Sequence, residues 1–210
     1  CFFGREYPDC NYECVTHFGN IVEFEGPETI AAFITEPFTV SGGVNIPPPE
    51  YLAEVDKICK QNNILLIVDE VFTGFGRTGK MFAMDHYDIM PDIVTLAKGM
   101  AGGYAAISAA CTTERIYNAF LSDQEGKAFE DVITMAGTPI ACAVALKAID
   151  IIETEGLVER SLTLGKYLKG MIEDNLSEHP LVGSIHGQGL FCIVHVVKDK
   201  KTKEPLLDTA

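Results

Sequence analysis

The stretch that decides the fold is ILLIVDEVFTGFGRTGKMFAMDHYDIMPDIVTLAK, residues 64–98, because it holds two apolar runs that each end at a charged residue. The first run, Ile64–Val68, is followed by Asp69, and the second, Ile93–Ala97, is followed by Lys98. Short runs rich in β-branched residues are typical of strands buried on both faces of a parallel sheet. Ligands bind such sheets in the crevice outside the carboxyl ends of the strands. The sequence therefore predicts that an acid and a lysine share one crevice.

An amine in such a crevice is suited to covalent chemistry. Partial removal of water favours the neutral form of an amine, and a neutral amine can attack a carbonyl carbon to form a Schiff base. Lys98 is the candidate nucleophile for this reaction, and Asp69 is the acid nearest to it in the predicted sheet.

Composition indicates a globular protein and excludes several classes of partner. A chain of 210 residues with 47% hydrophobic residues can build one sizeable core, or one core and part of another. The net charge of −14 argues against nucleic acid and anionic membrane surfaces as partners, and no apolar run is long enough for a membrane span. Seven scattered cysteines without a secretory leader predict a reducing, cytoplasmic location.

The segments around this stretch predict an α/β fold with a mostly parallel central sheet and flanking helices. A change of character at Gly156 predicts that residues 1–156 are part of a large domain and that residues 157–210 begin a small C-terminal α+β domain. Residues 1–27 are predicted to be irregular, and Ser122–Asp131 to form an exposed loop. The predicted strands are Thr29–Thr35, Ile64–Val68, Ile93–Ala97, Ala105–Cys111, Val182–His186 and Leu190–Val197, and the predicted helices are Pro49–Asn62, Glu114–Leu121, Ile140–Glu155 and Leu157–Leu176.

The glycine-rich segment 74–80 imitates two nucleotide-binding motifs. A dinucleotide site of the G-x-G-x-x-G type requires an acid near the end of the next strand, where this chain has Lys98. A P-loop requires Ser or Thr after its lysine, where this chain has Met81. We therefore interpret the glycines as residues of a sharp turn beside the sheet edge and Arg77 as a structural or interface cation. A nucleotide-binding ATPase module remains an alternative.

Three cysteines and a histidine lie close together near the start of the chain: Cys1, Cys10, Cys14 and His17. Their spacing matches no zinc pattern that pairs two close ligands with two more. We predict free cysteines and no metal site.

A set of short motifs is spread along the chain. The central one is DEVFTGFGRTG at 69–79, followed by PDI at 91–93 and LAKG at 96–99. Further motifs are EP at 36–37, GGV at 42–44, PP at 47–48 and TMAGTP at 134–139. Together they resemble the signature of the class III aminotransferases that use pyridoxal 5′-phosphate (PLP). The resemblance runs from Cys1 to the end of the chain and implies the PLP-transferase fold of type I.

The resemblance also implies roles for five residues. Lys98 would be the Schiff-base lysine, Asp69 the partner of the ring nitrogen and Val71 a residue that packs on the ring. Thr134 matches a threonine that binds the cofactor phosphate of the neighbouring subunit, which implies a homodimer with shared active sites. Glu36 matches a glutamate near the cofactor at the sheet edge.

The chemistry of these roles follows from what PLP requires of a protein. A carboxylate such as Asp69 against the pyridine nitrogen keeps that nitrogen protonated, so the ring can accept the electrons released when the substrate loses its α-proton. After a substrate amine displaces Lys98, the free amine is placed to move that proton. This sequence of steps is one half of a ping-pong transamination.

Two departures from other class III members indicate a branch within the family. Ser41 stands where members of the ornithine and GABA type carry a glutamate, and Phe72 replaces their glutamine. Both resemble the branch that moves amino groups from ω-amino acids or amines to pyruvate, with taurine and β-alanine as candidate donors. The sequence of the segment Cys111–Glu114 resembles that of the taurine–pyruvate members. The alternatives are an aminomutase of the glutamate-1-semialdehyde type and a non-catalytic interaction domain with the same fold.

The chain begins with Cys1 and covers about half the usual length of the family, so we expect it to be a fragment. The segments expected to carry the phosphate loop, the aromatic residue stacked on the ring and the arginine for the substrate carboxylate have no counterpart in it. We therefore predict that these 210 residues alone bind PLP poorly and do not turn over. Absorbance titration with PLP and an amine–pyruvate assay test this, and robust transamination would contradict it.

Overall fold

A computed structural model describes residues 7–40, 43–121, 126, 128–130 and 133–206 of the chain. The predictions that concern Cys1 and Ser41, and most of the predicted loop Ser122–Asp131, lie outside these residues.

The larger sheet has four strands, in the order β1 (Ala32–Thr35), β2 (Leu65–Asp69), β3 (Ile93–Leu96) and β4 (Ala109–Thr112). The first three strands are parallel, and β4 pairs with β3 in the antiparallel direction. The prediction of a mostly parallel sheet is therefore confirmed. Because β1, β2 and β3 run the same way, their carboxyl ends meet at one edge of the sheet.

Five helices accompany the sheet in the described residues: α1 (Glu13–Glu25), α2 (Tyr51–Gln61), α3 (Glu114–Ala119), α4 (Pro139–Thr154) and α5 (Leu157–Leu176). The crossover between β1 and β2 runs through α2, whose buried residues lie along one face at helical spacing. Pro139 stands in the first turn of α4, where its missing N–H leaves no intrahelical bond unmade.

The prediction that residues 1–27 are irregular is wrong for α1. This helix contains Val and Thr residues and Gly19, all of which lower helix propensity. It nevertheless buries Val15 and Val22, which lie on one face, in the main core and packs its Gly19 against Ile58 of α2. Tertiary packing therefore supplies the stability that local propensity does not.

The main core lies between the larger sheet and its helices and also receives a residue from the C-terminal part of the chain. Phe38, Leu52, Val55 and Val68 have no exposed surface, and Phe191 joins the same cluster. The C-terminal segment therefore packs against the larger sheet region.

A second, antiparallel sheet follows α5 and consists of β5 (Val182–Gln188), β6 (Phe191–Asp199) and β7 (Glu204–Pro205). Gly156 separates α4 from α5 with a φ of +61°, a left-handed conformation that glycine adopts easily. The division of the chain into domains at residue 156 stays a prediction. No helix of the described residues is both long enough and apolar enough to pass through a membrane.

The acid that follows Asp69 holds the long turn between β2 and β3 in place. Glu70 has no exposed surface, and its carboxylate accepts hydrogen bonds from the Thr73 hydroxyl and, at 2.7 Å, from the Met84 N–H. Burial raises the pKa of Glu70, and these two hydrogen bonds oppose the rise. Glu70 thus closes the segment between residues 70 and 84 by bonding to both of its ends.

Replacing Glu70 should separate the value of its hydrogen bonds from that of its charge. Glu70→Ala leaves the Met84 N–H and the Thr73 hydroxyl without their acceptor and opens a cavity, so we expect a loss of about 2–4 kcal/mol in the free energy of unfolding. Glu70→Gln keeps an acceptor for Met84 and should lose less. Urea unfolding of the full-length protein at a fixed protein concentration measures both.

The pH dependence of the same comparison has a definite sign. Because the folded state raises the pKa of Glu70, it binds the proton more tightly than the unfolded state. The contribution of Glu70 to stability is present below its ordinary pKa and decreases as pH rises through the raised value. The difference in free energy of unfolding between the native protein and Glu70→Gln should therefore shrink as pH rises above the ordinary pKa of glutamate, and a widening difference would contradict the assignment.

Candidate active site at the carboxyl edge of the parallel strands

Asp69 is the last residue of β2 and is fixed by the backbone that follows it. In the parallel register it lies opposite Thr95 of β3. Its Oδ1 accepts the Val71 N–H at 2.9 Å, and the next backbone amide, that of Glu70, donates to the Thr95 carbonyl at 3.0 Å. The carboxylate is half-buried at the sheet edge with one oxygen committed to Val71.

Lys98 begins a short 3-10 turn, Lys98–Ala101, directly after β3. Its φ is +41°, in the left-handed region that a residue with a side chain rarely adopts, and such strain is concentrated at functional sites. Its Nζ lies 3.5 Å from the centre of the Phe72 ring, a cation–π contact. Because Phe72 is three residues beyond Asp69, the amine reaches the segment that starts at the candidate acid.

Close backbone packing holds the ends of β2 and β3 together. A Cβ at Gly99 would lie 3.1 Å from the Phe75 Cβ and 3.3 Å from the Gly74 carbonyl oxygen. A side chain at this position would have to displace its neighbours, so glycine permits the turn after β2 to lie directly on the turn after β3. The position of the Lys98 backbone is thus tied to the glycine-rich segment.

A cavity of about 650 Å³ opens beside Lys98, within the range of sizes that small-molecule sites have. Its wall is mostly apolar, and the described residues that line it include two cations, Lys98 and Arg77, and no carboxylate. Lys98 thus lines this cavity and Asp69 does not. The lining residues are Val40, Val44, Phe72, Gly74–Arg77, Lys98, Gly99, Ile152, Leu157, Ser161 and Leu190–Ile193.

The other two predicted site residues are placed differently. The Oε2 of Glu36, at the end of β1, accepts the Val40 N–H at 2.6 Å and closes the loop after that strand. Thr134 is exposed in the turn that precedes α4. The structure therefore joins Asp69 to Val71 by a hydrogen bond, brings the Lys98 amine onto Phe72 in the turn after Asp69, gives Glu36 a loop-closing bond and leaves Thr134 at the surface.

Two features of the edge were not predicted as parts of the site. Thr95 Oγ1 is buried and has no hydrogen-bond partner among the described residues, although it faces the strand position of Asp69. The sequence did contain a signal for Thr95, because it is the only hydroxyl-bearing residue in the otherwise apolar run Ile93–Ala97. The contact of Phe72 with the Lys98 amine had no signal in the sequence, because it depends on how the turn folds back.

The glycine-rich segment serves as a docking surface for the C-terminal part of the chain. Gly76 and Gly79 have φ values of +86° and +87°, as a sharp turn requires. The Arg77 carbonyl accepts the Leu190 N–H at 3.0 Å and the Ser161 hydroxyl at 3.1 Å. These contacts support the interpretation of the segment as a turn over that of a phosphate-binding loop.

The described residues contain no cluster of three or more His, Cys, Asp or Glu side chains that could hold a metal ion. Cys10 is buried and Cys14 is half-buried, and both are free thiols.

Comparison with known proteins identifies several aminotransferases as relatives. A taurine–pyruvate aminotransferase of Rhodobacter capsulatus is 43% identical over 213 residues, covering 99% of this chain and 46% of the relative. A second one, from Bilophila wadsworthia, is 38% identical and covers 97% of this chain and 48% of the relative. An adenosylmethionine-8-amino-7-oxononanoate aminotransferase of Anoxybacillus flavithermus is 44% identical over 86% of this chain and 40% of its own length. The chain thus spans about half the length of these curated relatives.

Solved structures agree in fold. An aminotransferase of Bacillus anthracis superposes with a TM-score of 0.91 at 44% identity, over 95% of this chain and 44% of that one. An (S)-enantioselective ω-transaminase of Thermomicrobium roseum gives 0.86 at 42% identity, over 90% of this chain and 42% of that one. The family model described as "Aminotransferase class-III" matches residues 5–210. Since that match includes the strand ends that carry Asp69 and Lys98, the chain belongs to the class III aminotransferases.

Proposed function

We propose that this chain is part of a PLP-dependent transaminase that moves an amino group from an ω-amino acid or amine to pyruvate. The observation that carries the proposal is the placement of the Lys98 amine and the Asp69 carboxylate at the ends of paired parallel strands, in a chain of this family. The names of the two taurine–pyruvate relatives support pyruvate as the amino acceptor.

The groups at the sheet edge fit pyridoxal 5′-phosphate in their chemistry. An amine fits its aldehyde, a carboxylate fits its ring nitrogen, and the buried Thr95 hydroxyl is a polar group with no partner among the described residues. Val71 follows Asp69 on the same edge and offers an apolar surface for one face of a ring. Val71 and Thr95 are therefore further candidates for contact with the cofactor, besides the two charged residues.

Each residue has a defined task in this proposal. When bound, the cofactor supplies an electron sink for the carbanion formed at the substrate carbon. One carboxylate oxygen of Asp69 accepts the Val71 N–H. The other oxygen would accept a hydrogen bond from the protonated ring nitrogen of the cofactor. Lys98 would hold the cofactor through its amine, and that amine, when free, would accept and return a proton at Nζ. The contact with Phe72 keeps that amine at the edge while it is free.

The substrate and the assembly are further parts of the proposal. The mostly apolar wall beside Lys98 suits the carbon chain of an amine donor, and taurine and β-alanine are the candidates to test first. Thr134, exposed before α4, is proposed to reach the cofactor phosphate of a second subunit in a cytoplasmic homodimer. An aminomutase with the same site is the second candidate, and it would need no pyruvate.

Covalent trapping tests the assignment of Lys98. Borohydride reduction of the full-length protein with PLP should attach one pyridoxyl group per chain, and peptide mapping should find it on Lys98. Lys98→Ala should abolish the label, whereas Lys80→Ala, at an exposed lysine of the neighbouring turn, should retain it. A label on another lysine in the native protein would overturn the assignment.

Asp69→Asn tests the ring-nitrogen partner. The amide keeps an acceptor for the Val71 N–H but carries no charge, so trapping on Lys98 should persist while pyruvate-dependent turnover falls by roughly 100-fold or more. Asp88→Asn is a matched control, because Asp88 is exposed and has a φ of +52° that asparagine tolerates. Equal turnover in Asp69→Asn and the control would exclude Asp69 from the reaction.

A further inference from the structure

A half-buried histidine joins three segments of the chain that surround the cavity beside Lys98. The His86 Nε2 lies 3.0 Å from the Thr78 hydroxyl, and its Nδ1 lies 3.0 Å from the Gln188 side-chain amide nitrogen. Its ring also stacks on Phe38 with 5.8 Å between ring centres. Thr78 belongs to the glycine-rich segment and Gln188 to the end of β5, which is 102 residues beyond His86 in the chain, so one imidazole links two elements that are distant in sequence.

Backbone contacts next to this histidine show that the link is closely packed. A Cβ at Gly189 would lie 2.5 Å from the Thr78 carbonyl carbon and 2.7 Å from the Arg77 carbonyl oxygen. The Leu190 N–H donates to that same Arg77 oxygen at 3.0 Å. The turn at 188–190 and residues 77–79 are therefore in direct backbone contact. A displacement of one segment has to move the other or break this contact.

Both segments contribute to the wall of the cavity. Residues 74–77 and Leu190–Ile193 line it, as do Lys98 and Gly99. Gly99 packs tightly on the same segment, since a Cβ there would lie 3.1 Å from the Phe75 Cβ and 3.3 Å from the Gly74 carbonyl oxygen. The turn that begins at Lys98 and the turn at 188–190 therefore both pack on the glycine-rich segment, the first at residues 74–75 and the second at residues 77–79.

We propose that His86 is a positioning residue, which, as a neutral imidazole, holds the turn at 188–190 on the glycine-rich segment and thereby fixes the turn that carries Lys98. Its role in catalysis rests on the proposed function, whereas the link itself does not. Protonation of the ring opposes this docking, because the docked state encloses the imidazole between Phe38, Thr78 and Gln188.

The charged groups around His86 agree with this direction. Burial is the main cause of the lowered pKa of His86, and the charge of Lys80 lowers this pKa further. The Asp85 carboxylate and a hydrogen bond at Thr78 act in the opposite sense. Gln188, on the facing turn, does not titrate. Because the docked state binds the proton more weakly, the stabilisation is present above the ordinary pKa of histidine and is lost as pH falls below it.

Hydrogen exchange of the full-length protein, followed by mass spectrometry without added PLP, tests the proposal independently of the reaction. Exchange rates are corrected for their intrinsic dependence on pH. In the native protein we expect protection of the peptides that cover 188–193 and 98–104 to fall by about 3–10-fold between pH 7.5 and pH 5. Protection of β2, residues 65–69, should change less and reports on the integrity of the fold.

Variants identify the group responsible. His86→Gln should lower protection of both peptides by about 5–10-fold at pH 7.5, as expected for the loss of a hydrogen-bonded link, and should remove the pH dependence. Gln188→Leu should also lower protection at pH 7.5. His179→Gln, at an exposed histidine after α5, should keep the native profile.

Two outcomes would overturn the proposal. One is a native pH profile in His86→Gln. The other is loss of protection at 188–193 with none at 98–104, since the link would then not reach Lys98. Failure of the PLP trapping experiment with these exchange results intact would remove the proposed function and leave the link in place.

Discussion

The site depends on the parallel pairing of β2 with β3 in one register. That register sets Asp69 opposite Thr95, so the acid and the turn that begins at Lys98 emerge from neighbouring strands at the same edge. A shift of one residue would exchange the two faces of a strand and move Asp69 away from that edge. The apolar runs that form these strands therefore also position the candidate site, because burial of Leu66 and Val68 fixes the register.

Two adjacent acids at the end of β2, Asp69 and Glu70, lie in different environments and therefore have different parts in the structure. Asp69 is half-buried with one committed oxygen, and so it can accept a further donor at the sheet edge. Glu70 is fully buried and bonded to Thr73 and Met84, and so it fixes the turn that follows. The first carboxylate is thus available at the sheet edge, and the second is enclosed by the turn that it stabilises.

Glycine provides the contacts that connect the edge to the rest of the chain. Gly99 allows the turns after β2 and β3 to touch, and Gly189 allows the turn after β5 to rest on residues 77–79. Gly165 of α5 in turn lies directly against the Gly189 backbone. The C-terminal helix and hairpin are thereby joined through main-chain contacts to the segment that starts at Asp69, and His86 adds a side-chain link to the same junction.

The sequence by itself determined the strands that carry Asp69 and Lys98, the crossover helix between β1 and β2, and the family. These features depend on local hydrophobic patterns and on a run of specific motif residues, both of which are visible in one dimension. Helix α1 was missed, because its stability comes from packing against α2 and not from its own propensity. Only the tertiary structure decided that Phe72 contacts the Lys98 amine, that Glu36 closes a loop and that His86 bridges Thr78 and Gln188. Such contacts join residues whose separation in sequence carries no signal, since they exist only after the strands, turns and helices have packed together.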